Sequence, residues 1–113
     1  MSAPARGEIW DANFGQTTGR EQAGMRPALI ISVDLFNQSG AELVIAVPIT
    51  TKAKGIRSHV PIRPPEGGLS RPSFAKCEDV RPVSTRRLLK RRGRVMAATL
   101  LAVEDRLRML MGL

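Results

Sequence analysis

PALIISVDLFNQSGAELVIAVPI, residues 27–49, places two apolar runs rich in β-branched residues on either side of a polar connector. A continuous apolar run of this length, bounded by turn signals, marks a strand buried on both faces. The run at 27–33 (PALIISV) is one such strand, and the run at 42–49 (ELVIAVPI) is another. Pro48 puts the end of the second at an edge or a bulge, because proline has no N–H to give to a ladder. Residues 34–40 are the connector between them.

Working outward, residues 7–13 (GEIWDAN) read as a first strand with partial alternation. Residues 14–25 carry Gly15, Gly19 and Gly24 and no apolar period, so they read as a loop long enough to suspect function. Residues 50–58 form a basic, glycine-containing loop. At 59–63, Val60 and Ile62 alternate with His59, Pro61 and Arg63, which predicts a strand with the first pair inward. Residues 64–71 are a Pro/Gly turn. Residues 73–83 read as one or two strands, with Phe74, Ala75, Cys77, Val80 and Val83 as core candidates. Past a basic tract at 86–94 the period changes. Leu100, Val103, Leu107 and Leu110 recur at helical spacing and predict a helix over 97–111, stopped by Gly112. No Ser, Thr or Asp stands at its start, so its cap is not visible. The fold class is therefore mainly β with a C-terminal helix: a small curled antiparallel sheet or barrel in a single domain, residues 1–113.

Composition narrows the function. A chain of 113 residues with 42% hydrophobic content can bury a core without staples. Its one cysteine, Cys77, can form no internal disulfide and no metal cluster, and is expected as a small apolar strand residue. Neither a metal nor a cofactor is expected. The absence of a cysteine framework fits a reducing compartment, residues 1–7 hold no apolar signal core, and no apolar run could span a bilayer, so a cytoplasmic, membrane-free protein is expected. Eighteen Lys and Arg against ten Asp and Glu give a net +8, which favours polyanionic partners: nucleic acid or an acidic protein. Six of the nine residues at 86–94 are basic, which suggests an electrostatic track for RNA or a dock for an acidic partner.

Several segments recur in order along the chain: RGEIW (6–10), GREQAGMRPALIIS (19–32), VPITT (47–51), SHVPI (58–62), AKCEDVRPV (75–83) and a closing helix ending MGL. Together they resemble the MazF/PemK (Kid-like) toxin endoribonucleases of type II toxin–antitoxin systems. The resemblance implies an SH3-like small barrel of the CcdB/PemK type and a homodimer. It also implies metal-independent, sequence-specific cleavage of single-stranded RNA, with messenger RNA the expected target, and control by an acidic MazE-like antitoxin.

The same resemblance nominates site residues. Arg26 falls on the catalytic arginine of the family's GxRP motif, and a guanidinium suits phosphate geometry. Thr50 falls on the threonine of P-x-T-[TS], which donates to a phosphoryl oxygen; Thr51 is its weaker neighbour. Gly19, Arg20, Glu21 and Gln22 match the loop that covers RNA. Arg20 replaces the serine or histidine of relatives and offers a phosphate contact, whereas Glu21 matches a glutamate that orients the arginine or acts as a base. Glu78 matches an acidic residue of relatives and Asp79 stands where glutamine is common; on a strand the two would face opposite ways, one toward an RNA base edge and the other toward a surface Arg. His59, the only histidine, aligns with one near the RNA path and is expected to be half-exposed. Phe14 and Trp10 are the only stackers near the site, Trp10 better suited to the core. Two rival readings remain at this point: a CcdB-like gyrase poison on the same fold, and a catalytically silent nucleic-acid-binding barrel.

Overall fold

Period-2 alternation assigns each strand residue to one of two faces, and in this protein both faces are covered. The computed structural model describes residues 3–16, 19, 21 and 23–113. Its strands are β1 (Glu8–Asn13), β2 (Met25–Ile30), β3 (Leu43–Thr50), β4 (His59–Ile62), β5 (Ser73–Lys76), β6 (Arg81–Ser84) and β7 (Leu88–Arg94). They form an antiparallel sheet in the order β4-β5-β3-β2-β1-β7, with β6 pairing the first half of β3. The sheet curls without closing, since β4 and β7 are its two ends. A single helical turn, α1 (Asp34–Asn37), lies in the β2–β3 connector, and the long helix α2 (Ala97–Met111) follows β7.

Odd-numbered residues of the central strands, Ile9, Leu29, Val47 and Ile49, face a core shared with Val60, Ile62, Ala75, Cys77 and Val103. Leu100, Ala102 and Leu107 of α2 pack onto it, as the helical spacing predicts. Even-numbered residues, Trp10, Ala12, Ala28, Ile30, Val44 and Ala46, face a second cluster with Phe14 and Val83. Residues 28–30 of β2 and 46–49 of β3 are buried on both faces, which needs continuous apolar sequence there, whereas Leu43 and Ile45 at the start of β3 are exposed on one face.

Helix α2 spans the residues expected, and Gly112 ends it in the left-handed conformation at φ 69°. Its missing start signal comes from elsewhere. The Met96 backbone N–H at the helix N-cap donates to Glu66 Oε2 at 2.9 Å. Glu66 opens a 3-10 turn (Glu66–Gly68) that packs backbone against backbone on β7. A Cβ at Gly93 would sit 2.7 Å from the Gly67 carbonyl carbon, and one at Gly68 would strike the Arg92 carbonyl. The far side of the helix is tied down by the Arg6–Glu104 ion pair.

Four expectations need correction. The strand expected at 27–33 is β2 at Met25–Ile30, so it takes in Met25 from the expected loop and Arg26 from the junction, and Thr50 is the last residue of β3 rather than the first of a loop. Residues 73–83 do hold two strands, but Cys77, Glu78 and Asp79 lie on a 3-10 turn (Cys77–Asp79) between them, not on a strand. The basic tract contains β7, which the sequence reading left unassigned. Four of the tract's cations are engaged within the fold. Arg91 pairs with Glu8 at 2.6 Å and Arg92 with Asp11 at 3.2 Å, while Arg87 and Arg94 donate to the carbonyls of Asn13 and Arg6.

Among the described residues, no helix is long and apolar enough to cross a membrane.

Candidate active site

The register between β2 and β3 pairs Ala28 with Pro48. Extended two residues past this last pair, the register would set Arg26 across from Thr50, on the face that holds Ala28, Pro48 and Ala46. Thr50 in turn pairs with Phe74 of β5, and Lys76 of β5 pairs with His59 of β4. Alternation therefore brings Arg26, Thr50, Lys76 and His59 to one face of four adjacent strands.

On that face lies a cavity of about 350 Å³ lined by Gly19, Glu21, Arg26, Thr50, Thr51, Lys52, Lys54, His59, Ser73 and Lys76, among others. Arg26 is exposed, so its guanidinium reaches the opening. Thr50 is buried to 8% exposure, and its Oγ1 accepts the Lys52 backbone N–H at 3.2 Å. Of the charged groups lining the cavity, Arg26, Lys52, Lys54 and Lys76 are cationic and Glu21 is the only carboxylate among the described residues. That balance attracts an anion.

The loop overhead is closed at its neck. Phe14 N–H donates to the Gly24 carbonyl at 2.9 Å, and Gly24 N–H donates to the Gly15 carbonyl at 2.9 Å. Phe14 is buried, and the Arg81 guanidinium sits 4.3 Å above its ring. It is thus a pillar of the loop and not the exposed stacking platform expected; Trp10 is buried, as its core reading required. Gly19 and Glu21 reach the cavity, whereas Arg20 and Gln22 lie outside the described residues.

His59 departs from expectation. It is buried rather than half-exposed, with a side chain only 3% accessible. Its Nε2 lies 2.9 Å from Glu78 Oε2, and its Nδ1 is buried with no hydrogen-bond partner among the described residues. Glu78 also accepts the Ser58 hydroxyl at 2.7 Å. Partial burial pushes the Glu78 carboxyl up, but the hydrogen bonds from Ser58 and His59 outweigh it and hold the group below its ordinary value.

Asp79 accepts from Arg81 at 3.1 Å and faces Lys76 at 3.8 Å. Neither acid lines the cavity. Glu78 and Asp79 stand behind it, one holding His59 and the other facing Lys76.

Lys52, Lys54, Ser73 and Lys76 were not foreseen as lining residues. Lys52 and Lys54 belong to a loop whose basic character was legible. Lys76 is one polar residue inside an apolar run, and the two-residue period counted from Thr50's partner Phe74 would have found it.

The cavity's residues fall within a chain whose relatives are known. Residues 5–111 match the family described as PemK-like, MazF-like toxin of type II toxin-antitoxin system. Endoribonuclease MazF9 of Mycobacterium tuberculosis is 33% identical over 109 residues, covering 92% of this chain and 92% of that protein. Endoribonuclease toxin MazF of Escherichia coli is 29% identical over 110 residues, covering 96% of this chain and 95% of that protein. In fold, the crystal structure of MazF from Deinococcus radiodurans superposes with a TM-score of 0.89 at 28% identity, covering all of both chains. A MazE–MazF crystal structure from the same organism gives 0.82 at 30% identity, covering 100% of this chain and 99% of that one. The curated relatives named here are endoribonucleases, which sets aside the gyrase-poison reading. The match over residues 5–111, and the likeness in fold along the same stretch, make this chain a member of the PemK-like, MazF-like toxin endoribonucleases of type II toxin–antitoxin systems.

Proposed function

We propose that residues 1–113 work as one domain that cuts single-stranded RNA at a short specific sequence, without a metal ion, through Arg26 and Thr50. The observation that carries the reading is that these two side chains line one cationic cavity. RNA supplies its own nucleophile. The 2′-oxygen forms a bond to the adjacent phosphorus, the bond from phosphorus to the 5′-oxygen breaks, and a 2′,3′-cyclic phosphate is left. The protein has to align these atoms, stabilise charge on the phosphoryl oxygens and move two protons.

Arg26 supplies positive charge and a two-pronged donor to the phosphoryl oxygens. The Thr50 oxygen already accepts a backbone N–H, so its hydroxyl proton is the part it offers to a phosphoryl oxygen. Glu21, the carboxylate lining the cavity, takes the 2′-OH proton. Arginine does not give up a proton readily, so Arg26 acts through its charge, and the departing 5′-oxygen collects its proton from water.

The partners proposed follow the same chemistry. The net +8 suits an acidic, MazE-like antitoxin, and MazF of Deinococcus radiodurans has been crystallised with MazE. We place the working form in the cytoplasm as a homodimer, with messenger RNA as substrate.

The test is to incubate the purified protein with a long single-stranded RNA in EDTA and to map the ends. Discrete cuts ending in cyclic phosphate are expected; RNA left intact at high enzyme excess overturns the proposal.

A further inference from the structure

We infer that Lys76 holds a phosphate of the bound RNA strand in the cavity it shares with Arg26 and Thr50. The inference rests on the proposed cleavage reaction and adds a residue that neither the motifs nor that proposal assigned.

Lysine is rarely buried, yet Lys76 is only 9% exposed and lines the cavity. Its position follows from the sheet. It is the last residue of β5, paired across the strand with His59, and it shares a face with Phe74, the partner of Thr50. Two residues along β5 from Phe74, it sits diagonally across from Thr50 on the same face of the sheet.

The ammonium is held in position from behind. Asp79 Oδ2 lies 3.8 Å from Nζ as an ion-pair partner, while the same oxygen accepts from Arg81 at 3.1 Å. An ammonium carries three donors and acts as a compact point charge, which suits a phosphate oxygen. Lys52 and Lys54 line the same cavity, so the field there already favours a polyanion over a neutral base edge. His59 beside it has its Nε2 committed to Glu78.

A lysine placed this way predicts a particular signature. Each phosphate contact on a single strand contributes about 0.7 to the slope of log affinity against log salt concentration, independently of base sequence. The probe is a short oligonucleotide of randomised sequence in which every ribose is 2′-O-methylated, so that it binds without being cut. Its affinity is measured by fluorescence anisotropy across a salt series for the wild type, Lys76→Met and Lys76→Arg, each checked for a native melting transition. For Lys76→Met the expected result is roughly tenfold weaker binding at low salt and a slope smaller by about 0.7. Lys76→Arg should keep the wild-type slope, and cleavage of ordinary RNA by either variant should keep the wild-type cut sites.

An unchanged slope for a folded Lys76→Met overturns the inference. A shift in cut sites at unchanged slope overturns it too, because that outcome assigns Lys76 to a base edge. If Lys76→Met fails to fold, Lys76→Gln, which removes the charge and keeps a polar side chain, takes its place: a slope smaller by about 0.7 supports the inference and an unchanged slope overturns it. Failure of the wild type to cut RNA would instead count against the proposed reaction, and the anisotropy series separates the two.

Discussion

The Thr50 hydroxyl oxygen accepts the backbone N–H of Lys52 at 3.2 Å, two residues further along the chain. The bond turns the end of β3 into the cationic loop and fixes the hydroxyl's remaining proton as its one donor. A threonine used this way differs from one that merely ends a strand, because its orientation is set before any ligand arrives.

Thr50→Val keeps the shape of the side chain and removes that donor. Cleavage should fall by about 10–10²-fold, the value of one hydrogen bond to a charged group, and loss of the acceptor for the Lys52 N–H should lower stability by about 1 kcal/mol. Single-turnover rates on one RNA, read beside a thermal melt, check it.

Arg26→Ala should cost more, roughly 10²–10³-fold, because it removes paired donors and a full charge from an electrostatic site. Arg26 is exposed, so stability should stay within about 0.5 kcal/mol of wild type. A variant that cleaves at the wild-type rate would remove Arg26 from the mechanism.

Glu8 predicts the acid limb of the stability profile. It is buried, which raises its carboxyl pKa, but the Ala5 N–H, Arg91 and the Trp10 indole all donate to it, and the net effect lowers it below 4.5. A carboxyl lowered on folding adds stability above its unfolded value, and that stability is lost as pH falls through the folded value. Melting temperature should therefore drop as pH falls below about 4.5. Glu8→Gln should flatten that drop while lowering stability at neutral pH by about 1–3 kcal/mol.

Cys77 should be chemically inert. Burial, and then the charge of neighbouring Glu78, push its thiol up to about 12. Only thiolate reacts, so alkylation by iodoacetamide at pH 8 should not proceed until denaturant opens the core. Labelling of the native protein on the timescale of a free thiol would contradict this burial.

Gly93→Ala tests the backbone contact between β7 and the turn at Glu66–Gly68. A methyl group there meets the Gly67 carbonyl carbon at 2.7 Å, so backbone has to shift. A loss of about 1–3 kcal/mol is expected in chemical denaturation.

The elements legible in the sequence were those whose signal is local. β2 and β3 were visible as strands, with shifted ends, because residues 28–30 and 46–49 are buried on both faces, and α2 because Leu100, Val103 and Leu107 keep a helical period. β7 was illegible because its stabilisation comes from elsewhere in the chain. Arg91 and Arg92 look like a solvated tract until Glu8 and Asp11 of β1 are set beside them. The turn Cys77–Asp79 carries neither Gly nor Pro to announce it. At the site, the resemblance nominated Arg26 and Thr50, which line the cavity, whereas Lys76 comes into view only once the β3–β5 register pairs Thr50 with Phe74. The burial of His59 depends on Glu78, nineteen residues away, and no local pattern contains that pairing.

The hydrogen bond from the Met96 N–H to Glu66 has a bearing on the order in which the protein assembles. A helix that carries its own start signal can begin to wind as soon as it is made. This one borrows its signal from a turn that must first settle on β7, so winding awaits the sheet. At fifteen residues, α2 is near the length at which an isolated helix is marginal in water. A peptide of residues 95–113 should accordingly show little helical circular dichroism, whereas the intact chain keeps the helix. The C-terminal segment is then expected to behave as a latch, held over the apolar side of the sheet and loosened when the Glu66 corner is disturbed.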